Sequence, residues 1–196
     1  MKNIRLNELK KLLNDPKLKP LIDVATFMLI TVVFHYLWWG GLVQWLSGME
    51  WFNAFRDFMT WLVFTQAAWF NTHILGLEFN TTATTLIFPG SGYVEVAESC
   101  AGTKQFYQII VLFLLIRGPW KHKVWYIPAA LLLMHLVNVV RIIVLSWVVI
   151  HYTKQWDFIH EWILRPFFYV VIFAEWYLWI EFFAVRTTKI PNEVST

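Results

Sequence analysis

Residues 124–150 read VWYIPAALLLMHLVNVVRIIVLSWVVI, a run whose strongly polar side chains are His135, Asn138, Arg141 and Ser146. At 1.5 Å per residue such a run makes roughly 40 Å of helix, more than the ~30 Å hydrocarbon core of a bilayer, so it predicts a transmembrane helix. Working outward, the apolar stretches 21–46 and 166–185 are also long enough to cross, and 100–116 is shorter and more polar but close. The whole chain is 58% hydrophobic, with 13 Trp and 17 Phe in 196 residues, too apolar to cover a water-soluble surface. We therefore expect an all-α polytopic membrane protein, a bundle of about four to five transmembrane or membrane-embedded helices. A short extracytoplasmic β-hairpin precedes the helix that begins at Cys100.

The hairpin is read from TLIFPGSGYVEVAES, residues 85–99. Thr84–Phe88 and Tyr93–Val96 are β-rich and flank Pro89-Gly90-Ser91-Gly92, a strong turn signal. Its side of the membrane follows from the charges. Lys2, Arg5, Lys10, Lys11, Lys17 and Lys19, then Arg117, Lys121 and Lys123, then Arg186 and Lys189 form three basic clusters, which the positive-inside rule assigns to the cytoplasm. Gly76–Ser99 has no Lys or Arg but contains Glu78, Glu95 and Glu98, and is assigned outside, together with His151–Ile159. Residues 1–20 are then a basic cytoplasmic segment, 21–186 one membrane-embedded catalytic domain with its outer hairpin at about 77–98, and 187–196 a cytoplasmic tail. The opening stretch KNIRLNELKKLLNDPKLKP is too charged for a cleavable signal peptide, so the first apolar segment is expected to stay as an anchor. Segment 51–75 carries Asn53, Arg56, Asp57 and Thr60 on one helical face and is read as an amphipathic helix on, or dipping into, the outer leaflet.

Helix counting brings particular side chains level. Segments 100–116 and 124–150 form an antiparallel pair about the loop RGPWKHK, and about 17 residues separate this loop from Cys100 on one side and from Arg141 on the other, roughly 25 Å each way. Cys100, Thr103, Lys104, Tyr107 and Gln108 make a polar stripe that must face protein or water. The facing helix offers His135, Asn138 and Arg141, so a polar cleft between the two is expected. His160, at the start of the last span, enters its mouth, although counting puts it a turn or two higher.

The chain has one cysteine, which excludes an internal disulfide and any Cys-x-x-Cys pair. As a nucleophile, Cys100 would gain from a helix N-terminus and from Lys104 one turn on, both of which favour thiolate. The bland alternative is a small, buried, inert side chain. Arg141 is costly in an apolar helix and is a functional candidate by default, able to hold an oxyanion in its fork of donors; the alternative is an ion pair with Glu98 or Glu175. Asn138 either orients a substrate carbonyl or satisfies a neighbouring helix. His160 can move protons near neutral pH. His35, His73, His122, His135 and His151 show no metal-ligand spacing, so no metal and no cofactor is expected.

Glu98-Ser99-Cys100-Ala101-Gly102 after a hairpin, Asn138-Val139-Val140-Arg141-Ile142, and His160 at the next helix start together resemble the exosortase/archaeosortase family, over about residues 76–185. The resemblance implies membrane-embedded cysteine transpeptidases, with Cys100, Arg141 and His160 as the catalytic set and Asn138, Lys104 and Gly102 in support. It implies a substrate with a C-terminal sorting signal made of a short motif, a transmembrane helix and a basic tail. Many members of that family have about eight spans, so this chain looks like a compact core, and Ala101 stands where the family often has Ser. The implied partners are that substrate and the lipid bilayer, with a homo- or hetero-oligomer completing the groove and no nucleic acid. The contrasting reading is a non-enzymatic membrane assembly or export subunit, in which Arg141 and the polar stripe pair with an acid on a partner's transmembrane helix. A serine protease is weaker, because Gly90-Ser91-Gly92 lies in a turn.

Overall fold

A computed structural model describes residues 18–184, and the expected basic segment up to residue 17 and the expected tail lie outside them. The chain divides into two compact units, 1–43 and 44–196. In the first, α1 (Lys19–Leu37) has Pro20 in its first turn, where the missing N–H costs nothing, and it passes into a π-helical turn, Trp38–Leu42, bent at Gly41.

The second unit holds α2 (Glu50–His73), β1 (Asn80–Thr82), β2 (Thr85–Phe88), β3 (Gly92–Glu95), α3 (Thr103–Leu115), α4 (Trp120–His151) and α5 (Arg165–Trp179). The stretches Lys19–Ser47, Trp120–His151 and Thr153–Ala184 are long and apolar enough to cross a membrane, and α3 is a shorter apolar helix. The expected helical membrane protein with a strand pair ahead of Cys100 is therefore found, with one addition. The hairpin is a three-stranded antiparallel sheet, because β1 pairs with β2 in the register Asn80–Ile87, Thr81–Leu86 and Thr82–Thr85. Its sequence, NTT, is exposed at every position and carries no apolar alternation to announce a strand.

The sheet packs its inner face, Leu86, Phe88, Val94 and Val96, onto Val63 and Ala67 of α2 and Val139, Ile142, Leu145 and Val149 of α4. Leu86 and Val94 are 0% and 2% exposed; burying each contributes about 1.5–3 kcal/mol. This core fixes the hairpin over the C-terminal half of α4, and the chain leaving β3 runs from there into the turn that bears Cys100.

The outward face of α2 is aromatic, with Trp51, Phe58, Trp61 and Trp69 exposed. Much of the polar face expected from the sequence is spent on protein. Arg56 donates to Ser47 and Asn53, and its guanidinium lies 2.6 Å from a Glu98 carboxylate oxygen. Deeper along the helix, Gln66 meets His135 at 2.7 Å and Asn71 donates to Ser146 at 2.8 Å. Polar pairs of this kind hold helices together where no water can satisfy the groups.

At the other end, the α3–α4 loop is closed by Lys123. Its ammonium donates to the carbonyls of Ile116 at 2.5 Å and Leu114 at 3.3 Å, satisfying acceptors that the end of α3 leaves unpaired. Trp179 of α5 donates to the Arg117 carbonyl at 3.0 Å and packs on Phe113 and Tyr126. With the loop pinned, the heights of Cys100 and Arg141 are set by the lengths of α3 and α4.

Candidate functional site

Cys100 ends a short 3₁₀ turn, Glu98–Cys100, with its N–H donating to Ala97 at 2.8 Å. This corrects the expectation that it begins the long helix. Ala101 and Gly102 intervene, and α3 starts at Thr103. Gly102 has φ +80, so the backbone reverses there before the helix axis begins. The thiol thus stands one short turn ahead of α3 rather than in its first turn, and the ammonium of Lys104 reaches the Tyr169 hydroxyl at 3.4 Å. The cation at the thiol is Arg141.

The Arg141 guanidinium lies near enough to the Cys100 thiol for the two to interact electrostatically. It also donates, through Nη2, to His160 Nε2 at 2.8 Å, and its carbon lies 5.3 Å from the centre of the Phe168 ring. Arg141 is 7% exposed, and its Nε–H has no partner among the described residues, leaving one fixed donor free. The ion pair with Glu98 or Glu175 does not form. Glu98 belongs to Arg56, and both Glu175 oxygens are buried without a hydrogen-bond partner among the described residues.

His160 sits in a π-helical turn, Ile159–Leu164, the kind of local widening often found at functional sites. Its Nδ1 faces Glu161 Oε1 at 3.2 Å, and Glu161 is itself bound by Arg165. With Arg141 donating to Nε2, a neutral His160 carries its proton on Nδ1, and this N–H donates to the Glu161 carboxylate. Trp156 stacks on the ring with centroids 5.9 Å apart. The excess height counted from the sequence disappears because 151–159 is not a loop. Helix α4 runs to His151 and the next helical stretch begins at Thr153, so the chain reverses at Tyr152. Arg141 lies about ten residues before that reversal and His160 about seven beyond its start, roughly 15 Å and 11 Å of helix.

Asn138, fully buried, donates through Nδ2 to the Cys100 carbonyl at 2.8 Å. It clamps the cysteine turn to α4, while its Oδ1 is buried without a partner among the described residues. His135, expected in the same cleft, turns to Gln66 instead. The clamp needs Gly102, since a Cβ there would lie 3.3 Å from Asn138 Nδ2 on a backbone that L side chains disfavour. Gly102→Ala is expected to destabilise the protein by about 1–2 kcal/mol and to loosen the Cys100 turn. A lower Tm in detergent, together with a changed rate of Cys100 alkylation, is the outcome to look for.

Cys100 and His160 line one cleft of about 400 Å³ with Ser91–Glu95 and, from α4, Ile142, Leu145 and Val149. Among the described residues no group of three His, Cys, Asp or Glu side chains could hold a metal ion. A family profile described as transmembrane exosortase matches residues 45–174, a span that contains the hairpin, Cys100, Asn138, Arg141 and His160. The chain belongs to the transmembrane exosortase family. Comparisons with curated proteins and with solved structures return no match. Exosortases are generally cysteine transpeptidases, and membership implies processing of sorting signals on substrate proteins by a multi-pass membrane protein. Sequence reasoning missed Glu161 as a partner of His160, because an acidic neighbour at a helix start is commonplace.

Proposed function

We propose that this exosortase cleaves the C-terminal sorting signal of exported proteins at the outer face of the cytoplasmic membrane through a thioester on Cys100. The observation that carries the reading is a buried guanidinium hydrogen-bonded to an imidazole that lines the same cleft as the only thiol of the chain, with the thiol within electrostatic reach of the guanidinium. Sγ of Cys100 attacks the scissile carbonyl carbon, and the oxygen becomes an oxyanion held by Arg141. As the oxyanion claims the guanidinium donors, Nε2 of His160 is released from Arg141 and takes the thiol proton. The resulting imidazolium, steadied by Glu161 at Nδ1, gives that proton to the leaving amine, and the C–N bond breaks. An amine acceptor or water then attacks the thioester; His160 removes its proton and returns it to the departing thiolate.

A pairing role in an assembly subunit would need Arg141 turned outward toward a partner's acid, but its guanidinium is buried and donates to His160 inside the chain. Digestion of the protein from producing membranes, followed by mass spectrometry, tests the proposal. A peptidyl mass added to Cys100 is expected, and its sequence identifies the substrate. A Cys100 that is always unmodified and inert to alkylation would sink the nucleophile reading.

A further inference from the structure

The strand order β1-β2-β3 leaves β3 with one paired and one open edge among the described strands. Register decides which backbone groups face which edge. Val96 N–H donates to the Thr84 carbonyl at 2.9 Å, and the Cα partners then run Thr85–Glu95, Leu86–Val94, Ile87–Tyr93 and Phe88–Gly92. Hydrogen-bonded pairs alternate along an antiparallel ladder. Val94 and Gly92 therefore exchange bonds with β2, while Tyr93 and Glu95 turn their N–H and C=O groups to the open edge. No backbone partner takes these groups among the described residues.

That edge is part of the site. Gly92–Glu95 line the cleft that holds Cys100 and His160, with Thr153 and Trp156 also on its wall. The volume of about 400 Å³ falls within the roughly 300–1,000 Å³ of ligand sites. The strand is also held firmly. A Cβ at Gly92 would come within 2.9 Å of Val149, so the backbone there lies directly on α4, and Val94 is buried in the core beneath. An edge with unpaired groups is a template for another strand unless it is blocked.

We propose that the open edge of β3 is the peptide-recognition strand of this protein. An extended segment of the protein substrate adds to it as a fourth strand, exchanging backbone hydrogen bonds with Tyr93 and Glu95, and this lays the scissile carbonyl along the cleft beside Cys100. The inference rests on the reading of Cys100 as the acyl-carrying atom. Affinity in this mode comes from the main chain, and selectivity from alternate substrate side chains, those turned inward meeting the apolar Ile142, Leu145 and Val149.

Proline substitution on the two outer edges of the sheet separates this role from a structural one. Tyr93→Pro removes an N–H that faces the cleft and leaves the β2–β3 ladder intact. Thr81→Pro removes the matching N–H at the far edge, since β2 spends Thr85 and Ile87 on β1 through Thr82 and Asn80. In the full chain in producing membranes, Tyr93→Pro should lower the peptidyl adduct on Cys100 about tenfold or more, while iodoacetamide still alkylates the thiol at the wild-type rate. Thr81→Pro should stay within about twofold of wild type, since no recognition group is lost. Should Tyr93→Pro also lose alkylation, Glu95→Pro, on the same edge, is read in its place. Wild-type adduct levels in both cleft-edge variants would overturn the edge alone; a wild-type chain that never carries an adduct would overturn the nucleophile and the edge together.

Discussion

Cys100→Ala is expected to abolish release of a co-expressed, tagged sorting-signal substrate, a loss of at least about 10⁴-fold, as when a covalent nucleophile is removed elsewhere. The variant should still fold. The clamp from Asn138 goes to the backbone carbonyl of residue 100, which alanine keeps, and the methyl group occupies less space than the thiol it replaces. What disappears is the bond-forming atom and the electrostatic interaction of the thiol with Arg141. The chain has no second cysteine to substitute for it, so loss of thiol labelling and loss of processing must coincide. Undiminished release by the alanine variant would end the nucleophile assignment.

Arg141→Lys is expected to cost about 10²–10³ in processing, the scale of losing an oxyanion donor. Lysine keeps the charge, but a single ammonium on a flexible stem cannot reproduce a planar fork that donates to His160 Nε2 and keeps further donors for an oxyanion. It also abandons the free Nε–H and the face laid on Phe168. A purely structural cation would be replaced with modest loss, so processing within about threefold of wild type would remove Arg141 from the chemistry. Wild-type Tm in detergent alongside the expected loss would separate chemistry from folding.

Much of this site could be read before any coordinates, because helices in a bilayer obey a simple metric. Rise per residue and the short loop at residues 117–123 made Cys100 and Arg141 level, and the pinning of that loop by Lys123 keeps the count valid. Pro89-Gly90 announced the hairpin. The reversal at Tyr152 was hidden because polar residues between His151 and His160 look like a loop in a hydropathy trace, yet they form helical turns. The strand β1 was hidden for the opposite reason, since every residue in it faces outward and gives no periodicity.

Composition and spacing by themselves determined that this is a helical membrane protein, that a lone thiol stands beside the N-terminal end of a helix, and that an arginine of the next helix comes level with it. Those properties depend on what each residue does along its own chain segment. Tertiary structure alone decided that Gln66 takes His135, that Arg56 takes Glu98, and that Arg141 takes His160 within electrostatic reach of Cys100. Each is a choice among several chemically acceptable partners, and the choice is made by which helix faces meet. Hydrogen-bonding capacity is written in the residue, but direction is conferred only by packing.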